Sequence, residues 1–322
     1  MDSFRTIATA ILAVASTLPA ASLAQTYPSK PIRFIAGGAG SPADMRVRQV
    51  AQKLKESLGQ PVVVDNRPGA NGAIGARLAA KSAPDGYTLF NCASPHALND
   101  LLNPDPSSRL NKELVPITRL TLGWLILAIH PSIPAASLQE FFDLAKAKPG
   151  TLNYAASSQG SLNHLLGELI KSRVGINIRG VPYKFTSAEM PDVLGGHIHA
   201  TFNYFNILGP YIQSGKLRAL AIASTKRLPV APDIVTMSEA GLAGVEATGW
   251  NGVCVPAGTP QSVIDLLHRE LVKALSDPVI REQMLSTGAD PGGERPDEFA
   301  AFIRVEMAKW GKVVKDAGIS IQ

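Results

Sequence analysis

Short apolar segments of strand length alternate with amphipathic segments of helix length from Ile32 to the end of the chain, and this alternation limits the possible folds more than any other feature. Ile32 to Ile35 has a strand pattern, and Ala43 to Leu58 then sets Val47, Val50, Ala51, Leu54 and Leu58 on one helical stripe. Pro61 to Asn66 is predicted as strand, Gly72 to Ser82 as helix and Tyr87 to Asn91 as strand. Repetition of this kind builds βαβ units, so an α/β fold with helix-covered sheets is expected.

Beyond a Pro/Asn/Ser-rich stretch at Asn103 to Asn111, Val115 to His130 is predicted as one long strand. A second alternating series follows, with helices near 138–147, 161–174, 187–194 and 207–214 between strands near 151–155, 177–181, 197–202 and 217–223. Val245 to Val255 is a second long strand. Three helices then begin near Pro260, Pro278 and Pro296, where a missing N–H costs nothing. Two long strands bracketing an inserted α/β unit predict two lobes, 25–123 with 250–322 and 124–249, with a ligand cleft between them that closes about the crossovers.

The first residues decide where the protein works. Arg5 precedes the apolar run Ile7 to Leu18, and Ser22-Leu23-Ala24 puts small residues before Gln25, which predicts a signal peptide cleaved after Ala24. A membrane span needs about 20 apolar residues, and this run is shorter. No Cys follows it to accept a lipid, so a soluble periplasmic protein is expected. The formal charge of +5 comes from scattered Lys and Arg, without the clustered basic patch that nucleic acid requires. Cys92 and Cys254 lie in apolar or small-residue surroundings; a buried free thiol is the expectation for each, and a bridge between them is the alternative.

Several segments recur in an order that carries a resemblance. Tyr27-Pro28-Ser29-Lys30-Pro31-Ile32-Arg33, Leu58-Gly59-Gln60-Pro61-Val62-Val63-Val64-Asp65-Asn66-Arg67-Pro68-Gly69-Ala70-Asn71-Gly72 and Ala83-Pro84-Asp85-Gly86-Tyr87-Thr88-Leu89 are three of them. Val181-Pro182-Tyr183-Lys184, Leu194-Gly195-Gly196, Gly215-Lys216-Leu217-Arg218-Ala219-Leu220-Ala221 and Pro256-Ala257-Gly258-Thr259-Pro260 are the others. Together they closely resemble the Bug family, periplasmic solute receptors of tripartite tricarboxylate transporters. The resemblance implies a type II-like two-lobed binding protein, each lobe a mixed sheet flanked by helices, that captures a small carboxylate and passes it to inner-membrane transporter subunits.

Helix N-termini carry free N–H groups and about half a positive charge, so loops that open helices suit a carboxylate. In similar proteins the loop Gly37 to Asp44 forms one wall of the cleft, which makes Gly40, Ser41 and Asp44 candidates. The sequence departs from the family pattern here: the aromatic is absent and Ser41 stands at the second glycine. Ser158, Gly160, Ser161 and His164 resemble the second wall, and Ser94 and His96 the third contact loop. Thr186 and Ser187 open another helix, and Asn203 stands where related receptors often carry Asp. Each residue also has a plain reading as a turn or cap. His164 with Glu168, and His197 with His199, have spacings seen in metal sites, but a local hydrogen-bonding role is preferred because too few ligands can be named.

The glycines Gly69, Gly72 and Gly75 lack the dinucleotide fingerprint. Nucleophile-elbow, penicillin-binding and zinc-protease signatures are also missing, so catalysis is not expected. The favoured function is a transport receptor without cofactor, monomeric, binding no nucleic acid. A protein that presents its ligand to a periplasmic sensor is the alternative, with an enzyme on the same scaffold third.

Overall fold

The computed structural model describes residues 27–69, 72–102, 110–183 and 186–319, side chains at 110–111 and 186–187 excepted. The predicted signal peptide and most of the Asn103 to Asn111 stretch lie outside these residues. In chain order the first part comprises β1 (Ile32–Ala36), α1 (Pro42–Leu58), β2 (Val62–Asn66), α2 (Ala73–Ala80), β3 (Thr88–Ala93), α3 (Ser94–Leu102), α4 (Leu110–Glu113) and β4 (Leu114–Trp124). Next come β5 (Ile126–Ile129), α5 (Leu138–Ala147), β6 (Asn153–Ala156), α6 (Leu162–Val174), β7 (Arg179–Pro182), α7 (Thr186–Leu194), β8 (Ala200–Asn203), α8 (Phe205–Gln213) and β9 (Arg218–Ile222). The chain finishes with β10 (Thr248–Pro256), α9 (Gln261–Leu275), α10 (Pro278–Ser286), β11 (Ala289–Pro291) and α11 (Pro296–Asp316).

These strands form two sheets, one of order β11-β4-β10-β3-β1-β2 and one of order β7-β6-β8-β5-β9. Both are mixed: β1 runs parallel to β2 and β3, whereas β10 is antiparallel to β3 and β4. In the second sheet β6 is parallel to β7 and β8, and β5 is antiparallel to β8 and β9. Helices cover both sheets, giving the two-lobed α/β architecture.

The stretch Val115 to His130, expected as one strand, divides at Leu125 into two strands that join different sheets. Leu125 keeps its backbone paired across the break, donating to the Ala247 carbonyl and accepting from the Ala223 N–H. An apolar run satisfies either sheet equally well, so its pattern cannot mark the crossing. The helix stripe of α1 is as expected, with Val47, Val50 and Leu54 wholly buried against β1 and α9. One core cluster contains Leu98 of α3 and Trp310 of α11 together with Tyr154, Leu165 and Phe202 of the second sheet's layer, so apolar packing continues from one lobe into the other.

The free thiols expected at Cys92 and Cys254 are instead a disulfide, with Cα atoms 5.9 Å apart. The register of β3 against β10 explains it. Cys92 pairs with Gly252 and Cys254 with Phe90, so the two cysteines are diagonal neighbours on the same face of adjacent strands.

Candidate functional site

A cavity of about 500 Å³ lies between the lobes. Its walls are the opening turns of three helices, α1 at Ser41 to Arg46, α3 at Ser94 to His96 and α8 at Asn206 and Ile207, with the facing ends of β4 and β10 as the floor. Each helix has at least nine residues and directs its positive end toward the same space.

Glycine makes the floor. Gly123 and Gly249 face each other in the β4–β10 register, and the Tyr204 ring from the second lobe rests on both. A Cβ at Gly249 would lie 1.9 Å from the Tyr204 hydroxyl oxygen. Burial pushes the Tyr204 pKa up to about 12, so its hydroxyl stays protonated, and it has no hydrogen-bond partner among the described residues. Gly249→Ala is therefore expected to drive the ring into the cavity. Overpacking costs about 1–3 kcal/mol. Ligand affinity should fall by roughly tenfold or more, with a melting temperature only modestly lower, and Gly249→Ala with Tyr204→Leu should regain the lost stability; equal binding by Gly249→Ala and wild type would contradict this placement.

Of the candidates named from sequence, Ser41, Ser94 and His96 line the cavity. Ser94 Oγ accepts from the Trp250 N–H of β10 at 3.5 Å. His96 Nδ1 accepts from the Ala93 N–H at 2.9 Å, which leaves the ring proton on Nε2. Burial depresses the His96 pKa to about 4, so the ring is neutral at physiological pH.

Neither Gly40 nor Asp44 lines the cavity: Gly40 is exposed beside the wall and Asp44 is buried behind it. Asp44 is 2% exposed, and both its oxygens are occupied: Oδ2 accepts from Gly40 N–H and Arg48 Nε, and Oδ1 from Asn66 Nδ2. Burial opposes its charge, yet the bonds from Asn66, Arg48 and Gly40 outweigh burial and hold the carboxyl below the usual range. Asp44 thus fixes the β1–α1 loop against the end of β2.

The second lobe repeats this turn almost atom for atom. Gly40 and Gly160 both adopt left-handed backbone, φ 74° and 76°. Ser41 Oγ accepts from Asp44 N–H, as Ser161 Oγ does from His164 N–H. The third residue then reaches back to the glycine, Gly40 N–H donating to Asp44 Oδ2 and Gly160 N–H to His164 Nδ1. Ser158 closes the second turn by accepting from the Ser161 N–H. This turn packs on lobe one, since a Cβ at Gly160 would lie 2.2 Å from Leu102. Ser158, Gly160, Ser161 and His164 therefore stand at an interlobe contact and do not line the cavity.

Asn203 also stands behind the wall. Its Nδ2 donates to Glu189 Oε1 at 2.8 Å and its Oδ1 accepts from the Tyr204 N–H, so it positions the residue that lines the cavity. Thr186 and Ser187 begin α7, and their side chains lie outside the described residues. His164 Nε2 lies 3.8 Å from Glu168, and burial lowers the His164 pKa. The described residues hold no group of three or more His, Cys, Asp or Glu arranged for a metal.

Sequence reasoning missed Arg46, Tyr204, Asn206 and Asn251. Among the described lining residues Arg46 is the one ionised side chain, and no carboxylate lines the cavity. The side chains of Asn206 and Asn251 have no hydrogen-bond partner among the described residues, so their amides present donors and acceptors to a bound molecule. Asp44, Arg46 and Arg48 differ only in helix phase, and nothing local told which of the two arginines α1 would turn inward.

Two α/β lobes with a cleft at the opening turns of three helices define a solute-binding protein. The sequence matches the tripartite tricarboxylate transporter family receptor over residues 46–319. Protein BugT of Bordetella pertussis is 37% identical over 302 residues, 93% of each chain. Among solved structures, R. palustris Rpa4515 with adipate superposes with a TM-score of 0.81 at 31% identity, covering 91% of this chain and 99% of that one. MatC from Rhodopseudomonas palustris with bound malate gives 0.77 at 28% identity, covering 89% and 100%. The chain belongs to the TctC receptor family and is a Bug-type receptor.

Proposed function

We propose that this protein is an exported, periplasmic receptor that takes a small organic carboxylate into the interlobe cavity and delivers it to the inner-membrane subunits of a tripartite transporter. The observation that carries the reading is the charge inventory of the cavity, which among the described residues is one guanidinium and three helix N-termini facing no carboxylate. An anion entering such a space gains attraction and meets no like charge. Adipate and malate in two relatives support the same class of ligand.

The lobes are assigned as 25–124 with 248–322, and 125–247, after removal of residues 1–24; the expected boundaries at 123/124 and 249/250 move to the chain crossings because Trp124, Thr248 and Gly249 pair within the first sheet. Binding closes them about the chain crossings at Leu125 and Ala247, with Tyr204 bearing on Gly123 and Gly249 as the hinge floor. The protein works as a monomer without cofactor, and the ligand leaves chemically unchanged. Thermal unfolding of the mature chain with a panel of organic acids and their neutral amides tests this. An acid at 100 times its dissociation constant should stabilise the fold by about 2.7 kcal/mol. Stabilisation by amides or sugars, with none by acids, would overturn the assignment.

A further inference from the structure

We infer that Arg46 is the specificity-determining anchor of the cleft, forming an ion pair with a carboxylate of the ligand. This inference rests on the reading of the cavity as a carboxylate site and adds to it which residue supplies the charge. Two arginines stand two positions apart on α1, and the structure gives them opposite fates. Arg48 is already paired, Nε with Asp44 Oδ2 at 2.9 Å and Nη2 with Asn66 Oδ1 at 2.8 Å. Arg46 lines the cavity, and its single protein partner among the described residues is the neutral Gln49, which accepts from Nη1 at 2.7 Å.

A guanidinium taken partly out of water and left without an anion is costly, and its burial lowers the Arg46 pKa with no neighbouring carboxylate to offset it. Arginine offers five donors in a planar fork, so the bond to Gln49 leaves the Nε and Nη2 edge free for a carboxylate. The fork is also held in place. Gln49 Nε2 donates to Gln283 Oε1 at 2.6 Å, so a hydrogen-bonded chain runs from α10 through Gln49 to Arg46. Preorganisation of this kind reduces the ordering cost of binding. A ligand that ends in an ionised carboxylate restores the missing partner, whereas its amide leaves the cation unpaired. Discrimination between acid and amide thus resides in this side chain together with the helix N-termini beside it.

Calorimetric titrations of adipate, malate and benzoate into wild type, Arg46→Gln and Arg46→Lys test the inference. A charge-assisted pair of this kind corresponds to roughly tenfold to a hundredfold in affinity. Arg46→Gln should therefore weaken every acid that binds wild type by at least tenfold, and Arg46→Lys should fall between, because the charge remains and the fork is lost. Raising the salt concentration should weaken binding by wild type and have a much smaller effect on Arg46→Gln. The melting temperatures of the free proteins should agree within a few degrees, since Arg46 makes no ion pair among the described residues. Acid binding by Arg46→Gln within twofold of wild type would overturn the role of Arg46 and leave the carboxylate site standing. Failure of all three acids to bind wild type would overturn both.

Discussion

Replacing Cys92 and Cys254 together by alanine is expected to lower the unfolding free energy by about 2–4 kcal/mol and the melting temperature by roughly 10 °C. The bridge joins positions 162 residues apart, so it closes a loop containing the whole second lobe. In the chain-entropy account a closure of that length removes freedom from the unfolded chain worth on the order of 5 kcal/mol, the upper limit of the effect. Both sulfurs are fully buried between β3 and β10, and alanine leaves no polar group unpaired there. Thermal melts of wild type and the double variant, each with and without reductant, check this. Identical melting temperatures under oxidising conditions would contradict a stabilising bridge.

A second large effect concerns Glu189, which is fully buried behind the Tyr204 wall. Burial pushes its pKa from 4.5 up to about 7, while hydrogen bonds from Thr201, Asn203 and Ser157 pull against the rise. The folded state therefore holds a proton that the unfolded state has released. Stability linked to Glu189 is full below pH 4.5 and declines as the pH rises through about 7, by on the order of 3 kcal/mol in all. Glu189→Gln keeps an acceptor for Thr201 and Asn203 but cannot ionise. Compared with wild type it should gain about 2–3 kcal/mol at pH 8 and little at pH 4.5. His96 has the opposite linkage: its depressed pKa costs stability as the pH falls from 6.5 toward about 4. Because His96 is common to both proteins, it cancels in the difference between their urea melts. A difference that does not vary with pH would rule out the buried acid as its source.

The same residue explains why Asn, and not Asp, stands at 203. A carboxylate there would face Glu189 across 2.8 Å, whereas the amide donates to it and still accepts from Tyr204 N–H.

Much of this fold was legible because periodicity reports local burial. The α1 stripe and the crossing topology both follow from apolar spacing and from two long segments flanking an inserted unit. What escaped depended on pairing between distant strands. The break at Leu125 lies within a continuous apolar run, and the disulfide needed the β3–β10 register, which no single segment encodes. The three-residue strand β11 is too short to show a period.

At the site, Ser41, Ser94 and His96 were named because their loops resemble the contact loops of the Bug family; local composition alone fits a plain turn or cap. Asp44 and Asn203 lie in similar loops yet are buried supports behind the wall, and Gly40 is exposed outside the cavity. Capping and ligand binding use the same residue types, and only the exposure of each side chain separates the two roles. Arg46 and Tyr204 carried no turn signature. Their place in the cavity comes from the helix phase of α1 and from the packing of one lobe on two glycines of the other.

The most direct test of the account is a calorimetric titration of the mature protein at pH 7 with the organic acid that most raises its melting temperature and, separately, with the neutral amide of that acid. The geometry predicts saturable one-to-one binding of the acid, no measurable heat from the amide, and recovery of the acid chemically intact. Equal binding of acid and amide, or conversion of the acid to another compound, would contradict a receptor that recognises its ligand by charge.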